Sequence, residues 1–411
     1  MHVLYLMQYF VPPNGTWSTR SYEFAKELMA RGHDVTVVTS NGMLPAPYKN
    51  LTKTIISSVD GVRCVIIPVP YATGMPLFQR IKGYIGYNIS AFQVVAQHPA
   101  DVVFASSAPL TIAIPAIWAK ITHCIPMVFE VRDLWPELPI ALGAVRNPLL
   151  KTLARLLEWI AYHASEHVIA LSPGMAQGVH ARGLKQQRIT VIPNFSDIEF
   201  FSASSHDGSW VRQKLNLDAD APLVLYAGSY GLLNNVEYLV HVAKEATCLF
   251  PELRFLIVGK GVKKEEVMRL AREFDVLDKN LWIWDAVPKT QLPDLLAAAT
   301  VASSLFISLK AMWNNSANKF FDALAAGKPI IINYGGWQAD IIEETGAGLV
   351  MPPDDPKEGA LLLTRFLQDP QRLKMASHNA KKLAAERFSR DKAAEEFVTL
   401  IERVVADRQS K

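Results

Sequence analysis

Short apolar runs alternate with longer stretches of helical periodicity through most of the chain. In the first half the runs fall at 2–10, 35–39, 62–69, 101–106, 126–131, 167–171 and 189–193. They are rich in Val and Ile and bounded by turn residues, the pattern of strands. Helical spacing of apolar positions falls between them, over 18–31, 77–97, 110–121, 148–164 and 173–182. Such alternation predicts parallel strands joined by crossovers, a doubly wound sheet. Between 194 and 222 the pattern lapses into Ser202, Ser204, Ser205, Asp207, Gly208 and Ser209, the composition of a connection. Strands are predicted again at 223–228, 254–259, 281–284, 301–309, 329–333 and 348–351, with helices between them. Residues 370–405 are helical in pattern and add no strand. The fold class is therefore α/β, two Rossmann-like doubly wound parallel-sheet domains expected to face across a cleft. The expected boundaries are 1–195, a connection at 196–222, 223–385, and a C-terminal helix at 386–411 returning toward the first domain.

Residues 310–329 carry the densest chemistry. Asn314, Asn315 and Ser316 are residues of the kind that cap helices. Phe320, Phe321, Leu324 and Ala325 follow at helical spacing, and Gly327 with Pro329 ends the pattern. A helix is thus predicted to start at the carboxyl end of a strand, where an open α/β sheet places its ligands. The amides of Asn315, Ser316, Ala317 and Asn318 would face an anion. Lys310 and Lys319 would add positive charge, and Asp322 would accept from a pair of sugar hydroxyls. Phosphate plus ribose is a nucleotide.

Other loops converge on the same sheet edge. Gly228 and Ser229 follow one predicted strand and Gly259 another, with Gly allowing close backbone approach to a ligand. Trp284 to Lys289, with Val287 near its middle, ends a strand and is placed to frame a flat base. Gly335 and Gly336 end a further strand and open a helix. In the first half, Gly15 and Thr16 lie in the loop after the first strand, and Arg20 in the helical turn that follows. A plain turn is the competing reading of that loop, and an isolated Arg at such a position is more often on the surface than on a ligand. Arg132, Asp133, Trp135 and Glu137 follow an apolar strand, and charges closing a buried strand need partners. Three together at a sheet's carboxyl end favour a site over a structural ion pair.

Length and composition narrow the classes. The 411 residues exceed what one core supports. A net charge of +3, with no basic run interleaved with aromatics, gives no footprint of nucleic-acid binding. The three Cys are scattered in apolar surroundings and read as reduced core residues. The His residues lack ligand spacing, and Asp218-Ala-Asp220 precedes a strand instead of following one, so no metal is implied. The apolar start runs into Pro12-Pro13 and reads as a buried strand, not a signal peptide. The helix at 77–97 has an apolar face of Leu77, Phe78, Ile81, Tyr84, Ile85, Ile89 and Phe92 beside Arg80 and Lys82. Two readings stay open: a core-facing crossover and a helix lying on an anionic membrane.

These motifs resemble those of glycosyltransferases with two Rossmann-like domains (the GT-B architecture) of the large retaining family 4. The resemblance rests on the Gly15 loop, Asp133-Leu-Trp-Pro-Glu137, Val191-Ile-Pro-Asn194, Tyr226-Ala-Gly228, Val258-Gly-Lys-Gly261 and Asn318-Lys-Phe-Phe-Asp-Ala-Leu-Ala-Ala-Gly-Lys-Pro329, and covers essentially the whole chain. Two of these pieces resemble the branch containing N-acetyl-fucosamine transferases of bacterial O-antigen and capsule assembly. The resemblance implies a donor site in the C-terminal domain and an acceptor site in the N-terminal one. The second glutamate of the family signature, which binds ribose, falls on Asp322. The first, which contacts the donor sugar, falls on Asn314, a departure that removes a charge. Many members carry Arg and Lys after the first strand of the C-terminal domain; here Gly228 to Asn235 contains no cation. A third departure places Arg132 where relatives often have His.

The implied function is a metal-independent retaining glycosyltransferase without a cofactor. Its substrate would be a nucleoside-diphosphate sugar, UDP-linked by default for the branch. An N-acetylated hexosamine or deoxyhexosamine would pass to a hydroxyl of a polyprenyl-diphosphate-linked sugar. Peripheral placement at the cytoplasmic face of the inner membrane follows from that acceptor. The rivals are a transferase for a soluble small molecule, a non-hydrolysing nucleotide-sugar 2-epimerase of the same fold, and a non-catalytic nucleotide-sugar-binding partner.

Overall fold

In a computed structural model of the chain the alternation resolves into two sheets. The structure describes all residues except 14, 16–17, 73–74, 108, 134, 144, 203–205 and 411, and the side chain of Leu77. Thr16, expected at the acceptor, therefore lies outside the described residues. The chain divides into two units, Met1–Pro193 with Asp391–Lys411, and Asn194–Arg390.

In the first unit the strands are β1 (His2–Leu6), β2 (Asp34–Ser40), β3 (Ile55–Val59), β4 (Val62–Ile67), β5 (Val102–Ser106), β6 (Met127–Val131), β7 (His167–Ala170) and β8 (Ile189–Val191). Their order is β3-β4-β2-β1-β5-β6-β7-β8. Every pairing is parallel except the β3–β4 hairpin. The direction of winding reverses between β1 and β5, so ligands are favoured in the loops that follow these two strands. β5 and β6 are buried at every position, as expected of strands covered by helices on both faces.

In the second unit β9 (Leu223–Ala227), β10 (Arg254–Gly259), β11 (Leu281–Asp285), β12 (Val301–Ser304), β13 (Ile330–Ile332) and β14 (Gly348–Val350) pair in the order β11-β10-β9-β12-β13-β14, all parallel. Here the reversal lies between β9 and β12. The loops after these strands are the Gly228 loop and the 305–318 stretch.

Local chemistry sets several helix starts. Pro148–Ala164, Pro173–Ala181, Pro356–Leu367 and Pro370–Arg387 each begin on Pro, whose missing N–H costs nothing there. The residue before each, Asn147, Ser172, Asp355 or Asp369, accepts from amides of the first turn.

Four expectations change. The connection at 196–222 belongs to the second unit and contains two short helices, Ile198–Ser202 and Ser209–Lys214. Trp210 Nε1 donates to Asp294 at 3.1 Å, and Gly208, at φ 70°, lies so close to Ala298 that a Cβ would meet its nitrogen at 2.3 Å. Polar composition thus masked a packed segment. The strand expected to run to 309 stops at Ser304, and Lys310–Asn314 is a 3-10 helix. β3 was not expected; its hairpin turns on Asp60 and Gly61, both at positive φ, the dipeptide that favours such turns. Finally, only Cys64 is buried, whereas Cys124 and Cys248 are exposed at helix ends.

Candidate functional site

The site in the second unit is built around the reversal between β9 and β12. The helix Asn318–Ala325 starts at Asn318, with Ala317 before it and no side-chain cap. The expected caps have other partners. Asn315 Oδ1 accepts from the Ala317 amide at 3.2 Å, and Ser316 Oγ accepts from the Asn194 amide at 3.0 Å. The Asn315 amide itself donates to Met312 O. Of the four amides expected to face an anion, those of Asn315 and Ala317 are therefore already engaged. Trp337 Nε1 donates to Asn315 O at 2.8 Å and ties the turn to the helix that begins at Trp337.

Lys319, in the first turn, projects toward the Gly228 loop. Its Nζ lies 3.1 Å from Tyr226 Oη and over the rings of Tyr226 and Phe306, at 4.7 and 5.0 Å. In the orientation that satisfies both its neighbours, the Asn234 amide accepts from Lys319 Nζ at 3.0 Å and donates to Ser229 Oγ at 2.9 Å. A Cβ on Gly228 would stand 3.5 Å from the ammonium. The loop that lacks a cation in sequence thus receives one from the facing helix. Burial brings the Lys319 pKa down to about 7, and no carboxylate counters that shift. An ammonium held by neutral oxygens and ring faces keeps its charge uncompensated and is electrostatically suited to an anion.

Asp322, one turn further, shares a face with Lys319. Burial raises its carboxyl to about 6, against lowering by Lys289 and by a hydrogen bond from Ser196 Oγ at 2.8 Å. It remains ionised at neutral pH and able to accept from hydroxyls. Asn314 closes the 3-10 helix before this site, and Lys310 opens it from an exposed position.

The glycines answer mainly to internal contacts. A Cβ on Gly259 would meet Gly228 O at 1.8 Å, and one on Gly336, at φ 87°, would meet Trp313 O at 2.5 Å. Gly335 lies against the Trp313 ring. Trp284, expected to frame a base, stacks on Trp210 at 6.0 Å and lies under Lys214 Nζ at 4.3 Å. Val287 is in the loop beyond β11, partly buried.

In the first unit the expected residues separate into two environments. Arg20 is not on the surface: its side chain is 1 % exposed. Nε donates to Glu130 at 2.8 Å, Nη1 to Pro193 O at 2.6 Å and Nη2 to Ile192 O at 2.8 Å. Glu130, which ordinary sequence reading passes over inside an apolar strand, also accepts from Ser106 Oγ. Glu137 is held by Arg155 at 3.1 Å and Arg182 at 2.6 Å, which keep its carboxyl below the usual range. Trp135 packs against the first unit's core. Gly15 donates its amide to Pro12 O, and a Cβ there would run into Val11.

Arg132 and Asp133 are different. The Arg132 amide donates to Ser107 Oγ at 2.9 Å, which ties the end of β6 to the end of β5 beside the reversal. Asp133 is raised to about 6 by burial, with Arg132 opposing. Among the described residues no group of three or more His, Cys, Asp or Glu is arranged to hold a metal.

Residues 15–194 match the glycosyl transferase 4-like domain and residues 210–383 match the glycosyl transferases group 1 domain. The chain is 23% identical to an alpha-D-kanosaminyltransferase of Streptomyces kanamyceticus, over 46% of this chain and 47% of that one. It is 22% identical to a putative colanic acid biosynthesis glycosyl transferase of Escherichia coli K12, over 65% of this chain and 68% of that one. The chain spans about half the length of the first of these relatives. Among solved structures it superposes on a sucrose-phosphate synthase of Thermosynechococcus elongatus with a TM-score of 0.79 at 17% identity, covering 99% of both chains. The Anabaena protein HepE, solved with UDP and glucose, gives a TM-score of 0.73 at 16% identity, covering 98% of this chain and 100% of that one. Two parallel-sheet units, each carrying its own domain match in the same order along the chain, place this protein in the family 4 glycosyltransferases of GT-B type.

Proposed function

We propose that the chain transfers a sugar from a nucleoside diphosphate to a hydroxyl with retention of configuration, and that Lys319 and Asp322 hold the donor. The observation that carries this reading is Lys319, a desolvated cation with no carboxylate countering it, at the reversal of a parallel sheet. Lys319 would meet the diphosphate and Asp322 the ribose, with Lys310 nearby in sequence as a second cation and Asn314 toward the sugar. In the reaction the bond from the sugar's anomeric carbon to the diphosphate oxygen breaks, and a bond to the acceptor oxygen forms on the same face. The acceptor's proton passes to the leaving phosphate. The chain's contribution is positioning and stabilisation of charge on that phosphate. Arg132 and Asp133, beside the reversal of the first sheet, would orient the sugars. Likeness to the UDP-bound HepE supports a uridine nucleotide.

A panel of nucleotide sugars tests the reading by thermal stabilisation, since a ligand at a hundredfold excess over its Kd adds about 2.7 kcal/mol. The cognate donor should stabilise wild type and lose that effect in Lys319→Ala. Conversion of a nucleotide sugar with no acceptor present would instead assign a 2-epimerase.

The acceptor proposed is a lipid-linked saccharide of bacterial surface polysaccharide assembly, a role in keeping with the colanic acid relative. The helix Leu77–Gln97 enters the core through residues other than most of the apolar face read from its sequence, which leaves part of that face for the membrane reading. Tyr87, Ala91, Val94 and Val95 enter the core, while Phe78, Ile85 and Ile89 are exposed, Phe78 at 76%. It packs on Ala113–His123 through Phe92 and Trp118, and that helix packs on Pro148–Ala164. The neighbours add exposed Ile121, Leu149, Leu153 and Trp159. Across these three helices the one carboxylate is Glu158, buried and paired with Arg182. Lys82 and Lys151 leave the face basic and apolar, which fits an anionic bilayer. No helix among the described residues is long and apolar enough to cross one. Phosphatidylglycerol vesicles should sediment the protein at low salt, less so at high salt, and Phe78→Asp with Leu153→Asp should abolish this. Failure of wild type to sediment at low salt would discard the membrane part of the proposal.

A further inference from the structure

We infer that Ser196 is a positioning residue for the nucleotide, setting the Asp322 carboxylate so that one oxygen is committed to the protein and the other is presented to the ribose. This rests on Lys319 and Asp322 holding the donor. Ser196 Oγ donates to Asp322 Oδ1 at 2.8 Å across 126 positions of sequence. The serine is itself immobilised. Its amide donates to Phe388 O at 3.2 Å, its carbonyl accepts from the Arg390 amide at 3.2 Å, and it forms a parallel bridge with Ser389. Its hydroxyl is therefore a fixed donor.

The residues on either side repeat the pattern. Two positions earlier, the Asn194 amide donates to Ser316 Oγ at 3.0 Å, and its side chain donates to Ser316 O at 2.5 Å. One position later, Asp197 pairs with Arg390 at 2.5 Å. One extended segment, 194–197, thus grips the donor helix at two places, the turn before it and the carboxylate on its second turn. A carboxylate has two acceptor oxygens and free rotation about its last bond. A fixed hydroxyl on Oδ1 removes that freedom and leaves Oδ2 with a defined direction, an ordering cost then already met before a ribose binds. Burial opposes the ionised acid; the charge of Lys289 favours it, and the Ser196 hydroxyl adds to that.

The experiment uses the full chain, with uridine diphosphate and its 2′-deoxyribose analogue as probes and calorimetry from pH 5 to 8. Ser196→Ala should weaken uridine diphosphate about tenfold, as expected for loss of an ordered charge-assisted contact. It should narrow the preference over the deoxy analogue and move the acid limb of binding to higher pH. Ser196→Thr should restore all three. An unfolding midpoint unchanged in Ser196→Ala separates these effects from a merely structural role. Wild-type affinity, preference and acid limb in Ser196→Ala, alongside a loss in Asp322→Asn, would overturn the inference and leave the donor reading standing. Asp322→Asn without effect on the ribose preference would overturn both.

Discussion

Two buried charge clusters, one in each unit, are treated in opposite ways. In the first, Arg20 and Glu130 are fully buried and bonded to each other, and Glu137 is held by two arginines. In the second, Lys319 and Asp322 are both shifted toward neutrality by burial, and neither has an opposite charge within ion-pair distance among the described residues. A buried charge that is satisfied internally has little left to offer a ligand. One that is desolvated and outside ion-pair distance of any opposite charge is costly in place and gains from a ligand that counters it. By this criterion the Arg20–Glu130 pair is expected to hold the first unit together, and the Lys319–Asp322 face is the one proposed to bind.

The largest test of that contrast is Arg20→Ala. Removing the cation strands Glu130 in the core, so stability in urea should fall by about 3–5 kcal/mol. A loss under about 1 kcal/mol would show that the pair is not structural. Lys319→Ala should do the reverse, lowering turnover more than about tenfold with no loss of stability at neutral pH. Turnover at the wild-type level in both Lys319→Ala and Lys310→Ala would remove the donor assignment.

A pH series sharpens the same point. Burial holds the Lys319 pKa at about 7 in the folded chain, against the ordinary lysine value of 10.5. Between those values the unfolded chain holds a proton that the folded chain has released, so stability should rise with pH across this window. The protonation penalty is fully present below about 7 and gone above about 10.5. Subtracting the Lys319→Met profile should isolate the rise; identical slopes in both proteins would refute it. Nucleoside diphosphate affinity should weaken over the lower part of the window, because the empty site loses its charge there. The smallest effect is expected at a helix cap that belongs to neither cluster. Asn147→Ala removes the cap of Pro148–Ala164 and should cost about 1 kcal/mol, with donor affinity untouched.

Much of the fold was legible because it is local. Val- and Ile-rich runs between helical stretches announce buried parallel strands, and the division into two sheets follows from that alternation. β3 escaped because Ile56, Ser57 and Ser58 carry a weak apolar signal at a sheet edge, although Asp60-Gly61 marks its turn. The candidate site is legible in sequence as positions and less so as partners. Lys319 and Asp322 stand out at a helix start, but Tyr226 and Ser196 lie 93 and 126 positions away from them. Arg20 and Glu130 are 110 apart, and nothing in the first turn of a helix shows that its arginine turns inward. Asn315 and Ser316 are chemically sound caps that the chain uses for other bonds, because a 3-10 turn ends where the capping residues stand.

The last helix has a consequence for how the chain is made. Phe397 stacks on Phe24 with centroids 4.1 Å apart and meets Phe104 at 4.8 Å, while Glu402 bonds His33 at 2.8 Å. The first unit therefore takes part of its core from residues synthesised after the whole of the second. On the ribosome, residues 1–193 emerge first yet cannot finish packing until 391–411 arrive. The second unit is complete in sequence at Arg390 and is the one able to fold ahead. A fragment ending before Phe397 should keep the second unit's cooperative transition and lose that of the first.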